Sequence, residues 1–232
     1  LTGATLRNPV VGIETSTNFD FGYRLQNKDT SFSSSIFTVN FKDRIASAWD
    51  PVTQTSLDYN VGNVTVKGLE LELGQKLNKN LSAYASLTYT NSLIESDLKV
   101  NSTLTEPTAG KQMPDTPKLM AAIALSYKEG PVFGQITAKH TGKAFSTLVN
   151  DQVMDAYALL NLTVGYRLPE TAFFKAPEIR LNIDNWTNTE YKRISSPSGS
   201  SFTTRSVGTG ASTVFYNIGA PRFTSVTLRS DF

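Results

Sequence analysis

The chain of 232 residues has no cysteine and a single histidine. Without cysteine there is no disulfide framework, no thiolate zinc site and no cysteine nucleophile. The lone imidazole, His140, falls near the end of a weakly patterned strand and has no convincing partner for catalysis or metal binding. It reads as a surface or interfacial side chain. Long apolar runs are also missing. The longest, LMAAIAL at Leu119–Leu125, falls far short of the roughly 20 residues a membrane helix requires. Charge of one sign is nowhere concentrated: 22 basic against 20 acidic residues leave a net charge of +2, with no basic stripe, so no nucleic-acid partner is expected. The first residue is Leu1 and no signal region follows it, which predicts a processed chain or a fragment.

What the sequence does have is period-2 alternation. Phe19, Phe21, Tyr23 and Leu25 alternate with Asp20, Gly22 and Arg24, and Leu69, Leu71 and Leu73 alternate with Glu70 and Glu72. The same pattern gives Leu81, Ala83, Ala85, Leu87 and Tyr89; Leu119, Ala121, Ile123, Leu125 and Tyr127; Leu160, Leu162, Val164, Tyr166 and Leu168; and Ile179, Leu181 and Ile183. In FTVNFK the apolar set is Phe37, Val39 and Phe41. A weaker strand over 132–145 and a last one ending at Phe232, with Thr224, Val226, Leu228 and Ser230 on the terminal residue's face, bring the expected total to nine.

The connections carry as much information as the strands. Short polar turns fall at Gln26–Asp29, Asn78–Asn80, Glu129–Pro131 and Pro169–Pro177. The alternate connections are one brief link near Asp50–Gln54 and three long loops near Ser96–Thr116, Ser146–Asp155 and Ser195–Ser212. Compact domains join hairpins with a few residues, so long loops confined to one end require a reason. Up-and-down topology supplies it, and this asymmetry is that of an outer-membrane barrel. A soluble sandwich or lipocalin-like barrel alternates too, with its apolar residues facing inward. Strand length, loop asymmetry and aromatics near strand ends (Tyr23, Trp49, Tyr89, Tyr127, Tyr157, Tyr166) favour the membrane reading. Arg24, Lys42, Glu70, Glu72, Arg167, Arg180 and Arg229 are expected opposite the apolar stripes, because an Arg facing lipid at mid-bilayer costs roughly 2–4 kcal/mol.

Four blocks then resemble one family in its own order: ETSTNFDFGYRL (Glu14–Leu25), NVTVKGLELEL (Asn63–Leu73), IRLNIDNWTNTEY (Ile179–Tyr191) and the terminal GAPRFTSVTLRSDF. Together they look like the C-terminal strands of TonB-dependent outer-membrane receptors. The resemblance implies an all-β, antiparallel transmembrane β-barrel of about 22 strands, plugged by an N-terminal globular domain. It also implies uptake of scarce ligands with energy delivered by TonB. The last strand, with Val226, Leu228 and Phe232, resembles the signal read by the barrel assembly machinery, although Ser230 departs from the apolar or aromatic residue usual there. Nine is an odd count, and a periplasmic C-terminus would start residues 1–12 in an extracellular loop. Residues 1–232 are therefore expected to be a partial barrel, about the last two-fifths of a receptor, with plug and earlier strands absent.

No catalytic constellation appears, and no cofactor is expected. Glu70 and Glu72 lie two apart on the polar face, where they would meet the plug or basic residues of a neighbouring strand rather than act as an acid pair. SVGTGAST (Ser206–Thr213) precedes a strand rather than a helix, so it reads as a flexible loop and not a phosphate cradle. Asn101 and Asn161 sit in glycosylation-like triplets that are common by chance. Ligand capture is expected from aromatic and guanidinium groups near the long-loop end: Arg44, Tyr157, Trp186, Tyr191 and Arg205. For Trp186 and Tyr191 a structural role at the bend after NIDN competes. The family resemblance points to a ferric siderophore or similar chelate, with outer-membrane lipid around the barrel. FRAP and NPNL signatures of haem receptors are absent from this stretch. A passive porin is the alternative, and a soluble β-rich binding module a third.

Overall fold

The computed structural model describes residues 11–50, 55–99, 105–171, 173–194, 206–207, 210–211 and 216–231. Nine long strands form one sheet: β1 (Thr15–Gln26), β2 (Thr30–Lys42), β3 (Val64–Lys76), β4 (Leu81–Ile94), β5 (Leu119–Glu129), β6 (Val132–Thr141), β7 (Tyr157–Arg167), β8 (Lys175–Asp184) and β9 (Phe223–Asp231). Each pairs antiparallel with its sequence neighbours, so spatial order equals chain order. The strands run from 9 to 14 residues, long enough to cross a bilayer at a tilt.

The tight turns are built by side chains that imitate backbone. Asn27 Oδ1 accepts from the Asp29 and Thr30 amides at 3.0 and 2.8 Å, and Asn78 Oδ1 accepts from those of Asn80 and Leu81 at 2.8 and 2.9 Å. Gly130 supplies a φ of 53° between β5 and β6. The other end differs from expectation. The link between β2 and β3 is not brief: it projects as a hairpin of Ile45–Asp50 with Thr55–Asn60, its tip outside the described residues. The remaining long connections carry ladders of two or three residues, and SVGTGAST is one of them, pairing Ser206–Val207 with Gly210–Ala211.

Register settles which residues share a face. One row across the sheet reads Leu25, Phe32, Leu73, Ala85, Ile123, Ala138 and Leu160. The row one residue along reads Arg24, Ser33, Glu72, Ser86, Ala122, Lys139 and Leu159. The apolar face is bare: Ile123 is 57% exposed, Ile36 52% and Val226 64%. The buried hydrophobic cluster lies against the other face, at the long-loop end. There Val64 and Ile94 oppose each other across β3 and β4, and Tyr59, Val61, Leu98 and Leu148 pack down on them from three different loops. The loops thus fold over the charged face and mark it as the inner one. A sheet in water covers its apolar face with protein; here protein covers the polar face and leaves the apolar one to a nonpolar solvent.

β2 overturns one expectation. Phe37, Val39 and Phe41 face inward, opposite Gly68, Val66 and Val64, whereas Phe32, Ser34 and Ile36 join the outer stripe. Lys42 consequently lies on the outer face, opposite Thr15 at the strand end. Both faces of β2 carry aromatics, so composition alone could not choose between them. Glycine decides part of it. A Cβ on Gly68 would stand 2.3 Å from the Phe37 ring, and one on Gly165 would stand 2.2 Å from that of Phe133, so each of these two inward rings needs the glycine directly opposite it. Tyr23, Tyr89, Tyr127 and Tyr166 lie on the outer face near strand ends, as a girdle requires. Tyr157 instead shares the inner face with Asn161 and Thr163, and the Trp49 side chain falls outside the described set.

Candidate functional site

A cavity of about 640 Å³ opens at the long-loop end between the β6–β7 and β8–β9 connections. Its placement begins with the NIDN stretch. Asn185 ends β8 in the left-handed region (φ 48°), which asparagine tolerates, and it is 4% exposed. Its backbone amide donates to Asn161 Oδ1 at 2.9 Å, its Nδ2 donates to the Thr189 and Ala220 carbonyls at 2.9 and 3.0 Å, and its Oδ1 accepts from the Thr189 amide at 2.8 Å. Asn188 (φ 53°) repeats the device, its Oδ1 accepting from the Arg222 amide at 2.9 Å. Two asparagines thereby fasten the exit from β8 both to β7 and to the segment entering β9.

That knot sets Tyr191. Its ring stacks on Tyr157 with centroids 4.4 Å apart and planes inclined 23°, and it occupies the space where a Cβ on Gly219 would lie. Tyr216 completes an aromatic wall, its hydroxyl 2.9 Å from Ser146 Oγ, with the Lys192 ammonium 5.9 Å from its ring centre. Asp155 and Glu190 also line the cavity. Apolar ring faces, phenol hydroxyls and a few charges suit capture of a flat or chelated ligand. Among the described residues no group of three His, Cys, Asp or Glu side chains is placed to hold a bare metal ion.

Of the residues expected to bind ligand, the cavity brings together Tyr157 and Tyr191. Arg44 is engaged elsewhere: its Nη1 donates to Glu14 Oε1 at 2.5 Å, its guanidinium carbon lies 4.6 Å from the Phe41 ring centre, and Glu14 Oε2 accepts from the Ile45 amide at 2.7 Å. Partial burial pushes the Glu14 carboxyl up, but the Ile45 amide and Arg44 outweigh it and hold it below its ordinary value. Trp186 is 41% exposed and does not line the cavity; only its backbone amide is tied in, donating to Leu160 O at 2.7 Å. The bend is therefore held by Asn185 and Asn188 rather than by the indole. Arg205 and Phe232 lie outside the described residues, while Val226 and Leu228 sit on the outer face of β9. Sequence reasoning missed Asn185, Asn188, Lys192 and Tyr216. The two asparagines were visible as residues that accept left-handed backbone, whereas Tyr216 has no local signature.

The loops are mutually locked. Asn150 makes a two-point clamp on the Gln112 backbone, accepting from its amide at 2.7 Å and donating to its carbonyl at 2.8 Å. Nearby, burial pushes the Asp115 carboxyl up against the opposing attraction of Arg193.

The model of the family described as "TonB dependent receptor-like, beta-barrel" matches residues 2–185. No curated protein matches the chain. Among solved structures, the ferric yersiniabactin uptake receptor FyuA from Yersinia pestis is similar with a TM-score of 0.70 at 19% identity, over 94% of this chain and 30% of that one. The siderophore receptor PiuA from Acinetobacter baumannii gives 0.65 at 18% identity, over 93% of this chain and 28% of that one. The copper transporter OprC gives 0.70 at 18%, over 96% of this chain and 32% of that one. The chain thus spans about three-tenths of the length of these structures. With the family model covering most of its residues and the sheet carrying an outward apolar face, the chain belongs to the family of TonB-dependent receptor-like β-barrels of the bacterial outer membrane.

Proposed function

We propose that these residues are the C-terminal strands of a receptor that takes up a scarce ligand, a ferric siderophore, across the outer membrane, with energy delivered by TonB to a plug outside this chain. The observation that carries the reading is the tyrosine-walled cavity at the long-loop end, directly above a charged inner wall. One of the similar structures is described as a ferric yersiniabactin uptake receptor, one as a siderophore receptor and one as a copper transporter, which supports a metal-bearing ligand. Glu70 and Glu72 on the inner wall then face the plug, and the outward Val226 and Leu228, with Phe232, serve the assembly machinery and the surrounding lipid.

The test is uptake of radiolabelled ferric chelates by cells expressing the full receptor. Tyr157→Ala combined with Tyr191→Ala should lower uptake at limiting ligand by at least tenfold, the equivalent of about 1.4 kcal/mol or more of lost binding. Deleting TonB should abolish uptake. Uptake that survives both changes would identify a passive porin instead.

A further inference from the structure

The outward face changes character near the long-loop end of β1–β4. One row across it reads Phe21, Ile36, Leu69 and Tyr89. The next row toward the loops reads Phe19, Thr38, Lys67 and Asn91, and the one beyond it Thr17, Asn40, Thr65 and Leu93. Lys42 stands beyond these again, opposite Thr15. Of the lysines and arginines on the nine long strands, only Lys42 and Lys67 share the face of the outward leucines. Both are exposed, on adjacent strands and at the same end. Among the described residues neither is in an ion pair. An open groove of about 450 Å³ crosses this boundary, with Phe19 and Ile36 on its apolar side and Thr38, Asn40 and Lys67 on its polar side. The Thr38 hydroxyl is buried there with no hydrogen-bond partner. A second groove, about 410 Å³, begins on the other flank of Lys67, with Thr65, Asn91 and Leu93. Its one acidic lining residue, Glu95, already accepts from Thr65 Oγ1.

We infer that Lys42 and Lys67 hold the phosphomonoester headgroup of an outer-leaflet lipid whose acyl chains lie on the Phe19 and Ile36 side of the groove. This rests on the reading above that the long-loop end is extracellular. A cation facing hydrocarbon is costly at mid-bilayer and nearly free at the interface, so two outward lysines just above the Tyr89 row mark headgroup depth. A lysine stem lies along apolar surface while its ammonium reaches toward the polar layer, which suits Lys67 beside Phe19 and Ile36. A phosphomonoester carries close to two negative charges at neutral pH, which matches two unpaired ammoniums better than the single charge of a diester. Asn40 and Asn91 flank Lys67 and supply amide donors for the remaining headgroup oxygens. Free phosphate would need only the cations. The apolar side of the groove, continuous with the row of Phe21, Ile36 and Leu69, commits the site to a lipid.

The experiment uses the full receptor purified in a neutral detergent and titrated with lipid A, which bears two phosphomonoesters, with native mass spectrometry reading the tightest-bound lipid. Lys42→Gln combined with Lys67→Gln should weaken that binding at least tenfold, and removing the phosphates from lipid A should weaken its binding to the wild type equally. Heat-modifiable gel mobility and unchanged chelate uptake establish that the variant is assembled. Equal binding by the variant, or equal binding of the dephosphorylated lipid, overturns the site. Inorganic phosphate at millimolar concentration should leave the lipid in place, and displacement by it would overturn the lipid assignment in favour of a free anion. The orientation is read separately, since Ala109→Cys adds a thiol to a long loop of a cysteine-free stretch. A membrane-impermeant maleimide should label it in intact cells. No labelling would overturn the extracellular reading and the site with it, whereas labelling with unchanged lipid binding by the lysine variant overturns the site alone.

Discussion

At the residue scale, small side chains set the geometry that large ones exploit. Two inner-face phenylalanines, Phe37 and Phe133, each lie over a cross-strand glycine, and Tyr191 lies over Gly219 in the loops. A methyl at position 165 has no free volume, and the ring it meets is flanked by two guanidiniums that restrict its escape. Gly165→Ala is therefore expected to destabilise the assembled barrel by roughly 1–3 kcal/mol, the usual cost of overpacking. Adding Phe133→Leu should recover most of that loss. Urea unfolding of the receptor from lipid vesicles, read by tryptophan fluorescence, measures both. Asn185 acts in the same way, since one buried amide fixes the bend, the neighbouring strand and the approach to β9.

At the element scale, the two faces of one strand have different solvents. Leu162 faces outward in register with Ile136 and Ile183, while its neighbour Asn161 faces inward beside Thr137. Leu162→Arg should cost roughly 2–4 kcal/mol, and the inward Thr137→Arg should cost about 1 kcal/mol or less unless a plug contact is lost. Refolding equilibria into bilayers distinguish the two. The entry to β1 makes a second, pH-dependent prediction. The Glu14 carboxyl is held below its ordinary value by Ile45 and Arg44, so the folded state favours the ionised form. Its contribution is fully present above the ordinary value near 4.5 and is lost as pH falls through the lower, folded value. Protection of the Ile45 amide, which donates to Glu14, should fall on acidification when its exchange is referred to the intrinsic rate at each pH, and Glu14→Gln should largely remove that pH dependence. Strand number and turn positions were readable because alternation and Asn, Gly and Pro punctuation are local. The face of β2 was not, because Phe occurs in both of its alternating sets and only the partner register separates them.

At the scale of the whole molecule, the sheet is open, with β1 and β9 each paired on one side only. Unpaired backbone amides in hydrocarbon cost several kcal/mol each, so these nine strands require further strands to close. Residues 1–232 refolded alone into lipid vesicles should give oligomers or aggregates rather than a monomeric, heat-modifiable species, whereas the full receptor should give the monomer. A discrete monomeric band from the isolated piece would contradict this. The sequence by itself determined the alternation, the nine strands, the one-sided long loops and the family resemblance, because each depends on spacing along the chain. Only the tertiary structure decided that loops 40 to 90 residues apart share one hydrophobic cluster, from Tyr59 to Leu148, over the polar face. It alone joined Tyr157 to Tyr191 and brought Arg167 and Arg180 to the Phe133 ring. These groupings follow from the register of paired strands, a relation between distant segments that no local pattern encodes.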